Sequence, residues 1–444
     1  MFFGDIMIDV LNKLLWAVAT SLILFSSIYF TFSLKFIQFN LKAMISNLMK
    51  KEKHKDSISP FKTLMLALAG RIGVGSIAGV ALAIYLGGLG SIFWMWIIGI
   101  LSAVNTFAET ALGIVYKKKD SGNIYKGGPS YYIKEGLKKP TLGNLYAIFI
   151  ILSYIGGFIS IQSNTITKSL GKIIEIDPII IGIIISLLTA AIIFGGIKKI
   201  ANFTSKLVPL MTLFYLSVAL YVIVTNVGII PNIFYKIIVD AFNFESFTAG
   251  FLPIFIIGIQ RGIFSNEAGL GTGSIASSTT DENNPTGQGY VQMLGIYITT
   301  LLICTATAII ILTSNYSELI LEDVNGIEIT QHAFNYHIGQ FGSIALFTSI
   351  LFFSFSTILT GYYYGESSLK YFFNKINNRY LIILKIVTLI SLFIGSIISS
   401  SFLWKLVDML VAILAIINIY ALLNLRKEVK SELDCYNNKK CDKM

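Results

Sequence analysis

Two stretches of this chain place glycine and ionisable residues inside long apolar runs. The first is Ala69-Gly70-Arg71-Ile72-Gly73-Val74-Gly75-Ser76-Ile77-Ala78-Gly79, and the second is Gly258-Ile259-Gln260-Arg261-Gly262-Ile263-Phe264-Ser265-Asn266-Glu267-Ala268-Gly269. Such runs interrupt a helix, and a break in hydrocarbon frees N–H groups at the start of one half and C=O groups at the end of the other. A half-helix N-terminus suits a carboxylate, while freed carbonyls with hydroxyls suit a bare sodium ion or an ammonium group. One solute with both groups is an amino acid.

In the first stretch the N–H groups of Val74, Gly75 and Ser76 are expected to open the second half-helix and take the carboxylate. Gly73 and Gly75 let backbone come close. The carbonyls of Ala69 and Ile72 are expected to face a sodium ion, with hydroxyls for the same ion at Ser356 and Thr357. Serine and threonine also bond back to their own helix, which is the competing account of that pair. Close helix packing is likewise the plain alternative for Gly73, Gly75 and Gly79. Arginine argues for more, because a guanidinium in hydrocarbon costs at least about 2.5 to 3.5 kcal/mol. Arg71 and Arg261 must face protein or water, with Glu109, Glu267 and Glu366 as candidate partners. Gln162, an amide inside an apolar span, needs a partner too.

The elements that position these residues are read from hydropathy. A chain of 444 residues that is 55% hydrophobic and 13% charged has too little polar surface to coat a soluble globule. Apolar stretches near the roughly 20 residues needed to cross a bilayer recur about eleven times. Spans are expected at 10–33, 60–88, 90–117, 143–169, 178–196, 203–226, 249–277, 287–313, 341–370, 380–399 and 402–424. The fold class is therefore an all-α polytopic membrane protein. With the first span set aside as accessory, the two interrupted spans become numbers one and six of a core that splits into five plus five. An odd number per half inverts the second half, the pattern of a LeuT-type inverted repeat. The expected divisions are 1–59 for the accessory helix and basic loop, 60–226 and 227–424 for the repeats, and 425–444 for the tail.

The net charge of +10 does not imply a nucleic-acid face, because the basic residues sit in alternate loops. About 25 of the 34 Lys and Arg fall in one set of loops and about 3 in the other. That bias puts the N-terminus outside and the C-terminus in the cytoplasm of a multi-pass cell-membrane protein. The loop 278–288, with Asp281, Glu282 and no Lys or Arg, runs against the trend. Asp5 and Asp9 precede the first span where a signal peptide carries basic residues, so that span is expected to remain. Lys42, Lys50, Lys51, Lys53 and Lys55 make the segment 34–58 either a lipid-attracted surface stretch or an ordinary topogenic loop. Tyr131 and Tyr132 are expected at the interface as anchors.

Enzymatic function has little support. Histidine occurs at His54, His332 and His337, with no His-Glu-x-x-His, and no phosphate-binding Gly-Lys-Ser/Thr loop exists to drive a pump. Cys304, Cys435 and Cys441 match no metal spacing and are expected as free thiols, so no cofactor is implied. A channel, an uncoupled or proton-coupled carrier and a transport-inactive sensor remain as rival classes.

At these residues the chain resembles the alanine or glycine:cation symporter family, also called the sodium:alanine symporters. The resemblance runs from about residue 60 to 425 and rests on separated blocks. They are Gly79-Val80-Ala81-Leu82-Ala83-Ile84 with Gly87-Gly88-Leu89-Gly90-Ser91-Ile92-Phe93-Trp94-Met95-Trp96; Gly127-Gly128-Pro129-Ser130-Tyr131-Tyr132-Ile133; Gly195-Gly196-Ile197-Lys198-Lys199-Ile200; Arg261 through Gly269; and Phe355-Ser356-Thr357-Ile358-Leu359 with Tyr364-Gly365-Glu366. The resemblance implies a LeuT-type fold and inward symport of a small or mid-sized neutral amino acid with sodium, which is then the coupling ion. It places the substrate at the backbone of Val74, Gly75 and Ser76, at Phe158 and Gln162, at Phe264 and Ser265, and at Thr360 and Gly361.

Three departures matter. Gly73-Val74-Gly75-Ser76 stands where the family usually reads Gly-Thr-Gly-Asn, and Thr360-Gly361 stands where it commonly reads Gly-Trp. Thr299 or Thr300 replaces an expected acid. Loss of an indole, on the order of 200 Å² of contact surface, implies a larger pocket and a substrate bulkier than alanine, such as glutamine.

Overall fold

The computed structural model describes residues 2–49, 58–120, 124–244, 250–316, 326–373 and 376–438, with side chains from residue 8 onward. Helices fill almost all of it: α1 Phe2–Ser33, α2 Leu41–Leu48, α3 Pro60–Arg71, α4 Ala78–Gly87, α5 Gly90–Val115, α6 Pro129–Glu135 and α7 Pro140–Ile151 come first. They are followed by α8 Ile159–Gly171, α9 Pro178–Ile193, α10 Gly196–Thr225, α11 Ile230–Ala241, α12 Leu252–Asn266, α13 Thr272–Ser277, α14 Pro285–Tyr297 and α15 Thr305–Leu312. The last are α16 Ile327–Ile338, α17 Phe341–Tyr371, α18 Asn378–Ile397, α19 Ser400–Asn424 and α20 Arg426–Asn437. A two-residue hairpin pairs β1 Lys118–Lys119 with β2 Tyr125–Lys126.

Local chemistry sets the boundaries. Every proline but Pro209 stands in the first turn of a helix, where its missing N–H has no intrahelical partner to lose. Ser59, Asp177, Asn284 and Asn377 cap α3, α9, α14 and α18 through their side chains. The helix begun by α7 continues through a π-helical segment, Leu152–Phe158, into α8, and α14 passes through another, Ile298–Cys304, into α15. Such segments turn side chains off the α register and are frequent at functional sites.

Among the described residues eight helices are long and apolar enough to cross a membrane, and α4 and α9 are shorter apolar helices. The membrane-competent windows of α10 and α18 are only 28% buried, against 67% for α5 and α19. The first pair therefore runs on the periphery, where Leu210, Leu213 and Ile383 face outward, and the second pair lies inside. Helix α5 packs on α12 and α14, α1 lies along α19, and α18 covers α8 and α9.

Several expectations are corrected. The interrupted span 249–277 stays helical through Asn266 and breaks only at residues 267–271, where Glu267, Gly269 and Gly271 take positive φ. Gly258 and Gly262 do not break it. They let α5 approach, since a Cβ on Gly262 would lie 2.6 Å from Ile98. Helix α10 starts at Gly196 rather than near 203, and from its first turn the Lys199 ammonium donates to the Ala191 carbonyl at the end of α9. Tyr132 is fully buried with its hydroxyl on Asn418, so it is a core residue and not an interface anchor. Cys304 is a buried free thiol as expected, but Cys435 is disulfide-bonded. His54, Lys50, Lys51, Lys53, Lys55 and Cys441 lie outside the described residues.

Candidate functional site

The first break begins where α3 ends. The Ile72 N–H still reaches the Leu68 carbonyl at 2.7 Å, then Gly73 is extended and Val74–Ser76 make one 3-10 turn. Helix α4 starts only at Ala78, so Val74, Gly75 and Ser76 form the connector between the halves and do not open the second half. The N–H of Val74, expected to be free for a carboxylate, donates to Gln162 Oε1 at 3.1 Å. A glutamine on a facing helix satisfies the connector because an unpaired N–H in this setting is expensive.

On one side of the connector, Ser76 Oγ and Ser265 Oγ lie 3.0 Å apart, and Ser265 Oγ is 3.1 Å from Cys304 Sγ. Gly75 packs under Phe264, where a Cβ would lie 2.9 Å from the ring. Phe264 stacks on Phe158 at 5.1 Å, Phe158 stacks on Tyr154 at 4.6 Å, and Trp404 closes the row 4.9 Å from Phe264. The structure thus gathers Val74, Gly75, Ser76, Phe158, Gln162, Phe264 and Ser265 around one connector. Thr360 and Gly361 lie at the edge of this group: Thr360 Oγ1 bonds back to Ser356 O and reaches the Leu66 carbonyl of α3 at 3.4 Å, and Gly361 faces Ile159 and Tyr154, the end of the aromatic row.

On the other side, two hydroxyls of α17 converge on the end of α3. Thr357 Oγ1 is 2.9 Å and Ser356 Oγ 3.2 Å from the Ala69 carbonyl oxygen. Both also reach the Phe353 carbonyl of their own helix, so local back-bonding and the long-range contact coexist. Among the described residues no hydrogen bond links Ile72 to this group. These hydrogen bonds bring oxygens from three residues of two helices together beside the break.

The arginines find partners that sequence reasoning only half identified. Arg71 donates to the Gln292 carbonyl at 3.2 Å, and Gly273 packs between it and Glu109, where a Cβ would meet Arg71 at 2.5 Å and Glu109 at 3.1 Å. Glu109 accepts from the Gly271 N–H at 2.9 Å and from Asn418 at 3.0 Å, which fixes the second break. Glu267 accepts from Tyr154 and Thr272, each at 2.7 Å. Glu366 pairs with Lys370 instead of an arginine. Arg261 pairs with Asp408, a residue not singled out from sequence, although a lone carboxylate inside an apolar span was the available signal. Its guanidinium also lies over Phe264 and Trp404, at 5.6 and 5.2 Å from the ring centroids. Thr300 accepts from Asn266 at 3.0 Å, so a hydroxyl serves where an acid was expected.

The model of the sodium:alanine symporter family matches residues 1–444. The chain belongs to that family. It is 37% identical over 438 residues to the Bacillus subtilis protein named Probable sodium/glutamine symporter GlnT, covering 98% of this chain and 91% of that one. It is 34% identical to the amino-acid carrier protein AlsT of the same organism, over 94% of this chain and 89% of the relative. Identity to the sodium/alanine symporter AgcS of Methanococcus maripaludis is 32%, covering 97% of each. Among solved structures, a mutant of a manganese transporter from Eremococcus coleocola superposes with TM-score 0.51 at 16% identity, over 86% of this chain and 80% of that one, a likeness of fold alone. This member of the sodium:alanine symporter family is thus a multi-pass membrane transporter, of a family of symporters and not of enzymes.

Proposed function

We propose that the chain carries a mid-sized neutral amino acid, glutamine in the first instance, into the cell together with sodium. The observation that carries this reading is the convergence of Ser356 and Thr357 on the Ala69 carbonyl, beside a connector gripped by Gln162. Sodium bound there would take its oxygens from Ala69, Ser356 and Thr357, with the neighbouring Ile72 carbonyl as a further ligand. The substrate carboxylate would displace Gln162 from Val74 and lie along Val74, Gly75 and Ser76. Phe158, Phe264 and Ser265 would line its side-chain pocket, and Thr360 and Gly361 would bound the pocket from α17. The sodium/glutamine name of a 37% identical relative supports the choice of substrate.

In this reading the helices form eleven spans, an accessory one and a LeuT-type core of two inverted repeats, 60–226 and 227–424. The tail 425–444 is cytoplasmic and the N-terminus outside. Alternating access moves the two broken helices against the rest. The row Tyr154, Phe158, Phe264 and Trp404, with the Arg261–Asp408 pair above it, then closes the outer side. Uptake of radiolabelled glutamine into proteoliposomes is expected only with an inward sodium gradient. Equal uptake with sodium replaced by potassium would reject sodium coupling, and a proton-driven signal would favour the proton-coupled alternative.

A further inference from the structure

Outside the broken-helix site, five lysines line a cavity of about 280 Å³. Its walls come from the hairpin β1–β2, from α6 and from the end of α17. Lys118, Lys119, Lys126, Lys134 and Lys370 all line it. Three of them are matched: Lys118 with Glu135, Lys126 with Asp120 and Lys370 with Glu366.

Lys119 and Lys134 are not matched. Among the described residues the contacts of their ammonium groups are ring faces, Tyr125 at 4.9 Å for Lys119 and Tyr371 at 5.6 Å for Lys134. The cavity therefore holds two cations in excess of its carboxylates. Lys126 is almost fully buried, and that burial holds its ammonium below the usual lysine range despite Asp120. The Tyr371 ring lines the cavity, while its hydroxyl is turned towards Gly143, where a Cβ would lie 2.8 Å from it. Surplus cations around one concavity suit an anion with several acceptor oxygens.

We propose that this cavity binds a phosphate group, held by Lys119 and Lys134. Phe373, 37% exposed, lines the same cavity and offers an apolar shelf for an acyl chain, as basic pockets that take lipid head groups do. An anionic phospholipid and free phosphate share this chemistry. The site would be more than passive. Lys370 lies on the same helix as Ser356 and Thr357, and Gly128, just after the hairpin, packs on α13, where a Cβ would lie 2.6 Å from Ile275. A bound phosphate would thus tie α17 to the support of the second broken helix.

The test is thermal unfolding of the protein in phosphatidylcholine bilayers, in the same bilayers containing phosphatidylglycerol, and in phosphatidylcholine with inorganic phosphate at constant ionic strength. A midpoint raised by a few degrees by phosphatidylglycerol or by inorganic phosphate, over the zwitterionic phosphatidylcholine reference, is expected for the parent. A rise with phosphatidylglycerol alone assigns the lipid, and a rise with inorganic phosphate assigns the free anion. Lys119→Gln with Lys134→Gln is expected to abolish the rise, because neither change orphans a carboxylate. Lys198→Gln with Lys206→Gln, two exposed lysines elsewhere, removes the same charge and is expected to keep it. No rise in either condition, or an equal rise in the Lys119/Lys134 variant, overturns the proposal. If that double variant does not fold, Lys119→Gln alone carries the same comparison, with a reduced rise expected and an unchanged one overturning it.

Discussion

Thr357 Oγ1 lies 2.9 Å from the carbonyl oxygen of Ala69, joining residues 288 apart in sequence. The contact ties the middle of α17 to the last turn of α3, one residue pair short of the break. A carbonyl at a helix end has a lone pair to spare, and Thr357 keeps its own-helix bond to Phe353 while it reaches across. The hydroxyl oxygen keeps its lone pairs, so in the proposed sodium site it would accept the ion, and the two helices would have to stay at this spacing.

Removing that oxygen should weaken sodium more than substrate. Thr357→Ala is expected to raise the sodium concentration for half-maximal uptake by about tenfold or more, equivalent to about 1.4 kcal/mol. Thr357→Ser, which keeps the oxygen, should stay near the parent. Sodium titrations of uptake check this, and equal values for Ala and Ser at position 357 would remove the hydroxyl from the ion site.

Two glycines of the first broken helix should respond differently to the same change. A Cβ at Gly73 would lie 2.5 Å from Thr357 Oγ1 and 3.2 Å from the Gln162 amide, whereas one at Gly79 would meet nothing nearer than Trp404 at 3.9 Å. Gly73→Ala is expected to abolish sodium-dependent uptake in protein that still purifies as a monodisperse peak. Gly79→Ala should transport at near-parent rates, since alanine is the better helix former. Loss of uptake in both would mean that packing alone explains the glycines.

The Arg261–Asp408 pair should behave as a buried pair does when one partner is lost. Asp408→Asn leaves a guanidinium without its counter-charge, and a destabilisation of about 3 to 5 kcal/mol is expected. Arg261→Met combined with Asp408→Leu should recover most of that loss while impairing uptake, because the pair then no longer covers Phe264 and Trp404. Melting midpoints of the three proteins decide it, and a double variant no more stable than Asp408→Asn would contradict the pair's independence.

The first break was legible because Arg71, Gly73 and Gly75 crowd into an apolar run, while the approach of Ser356 and Thr357 to Ala69 was not legible in composition alone, since buried hydroxyls are common in this chain and both also bond back to Phe353. The second break was misplaced. Gly258 and Gly262 stand in the same glycine-bearing run as Gly269, and composition alone does not separate a glycine that turns the chain from one that admits a neighbouring helix. Asp408 was passed over because its helix reads as an uninterrupted apolar run, and its partner lies 147 residues away. The bond from Val74 to Gln162 was half legible, since the amide's need for a partner shows in sequence but the partner's position does not.

Gly361 gives the sharpest test of substrate size. It faces Tyr154 at 3.4 Å and Ile159 at 3.5 Å from the position a Cβ would take, ordinary contact distances that admit a side chain at the start of its path. Tyr154 in turn stacks on Phe158, which stacks on Phe264, so an indole at position 361 would press on the end of that aromatic row. Gly361→Trp is therefore expected to eliminate glutamine uptake and to leave glycine or alanine uptake within a few-fold of the parent, because one missing or added methylene in an apolar pocket changes discrimination by about 10- to 200-fold and an indole fills far more. Competition of unlabelled glycine, alanine and glutamine against one labelled substrate, in parent and variant side by side, measures the shift. A parallel fall for all three would indicate a packing defect instead of a narrowed pocket, and unchanged glutamine uptake would place the side-chain pocket away from α17.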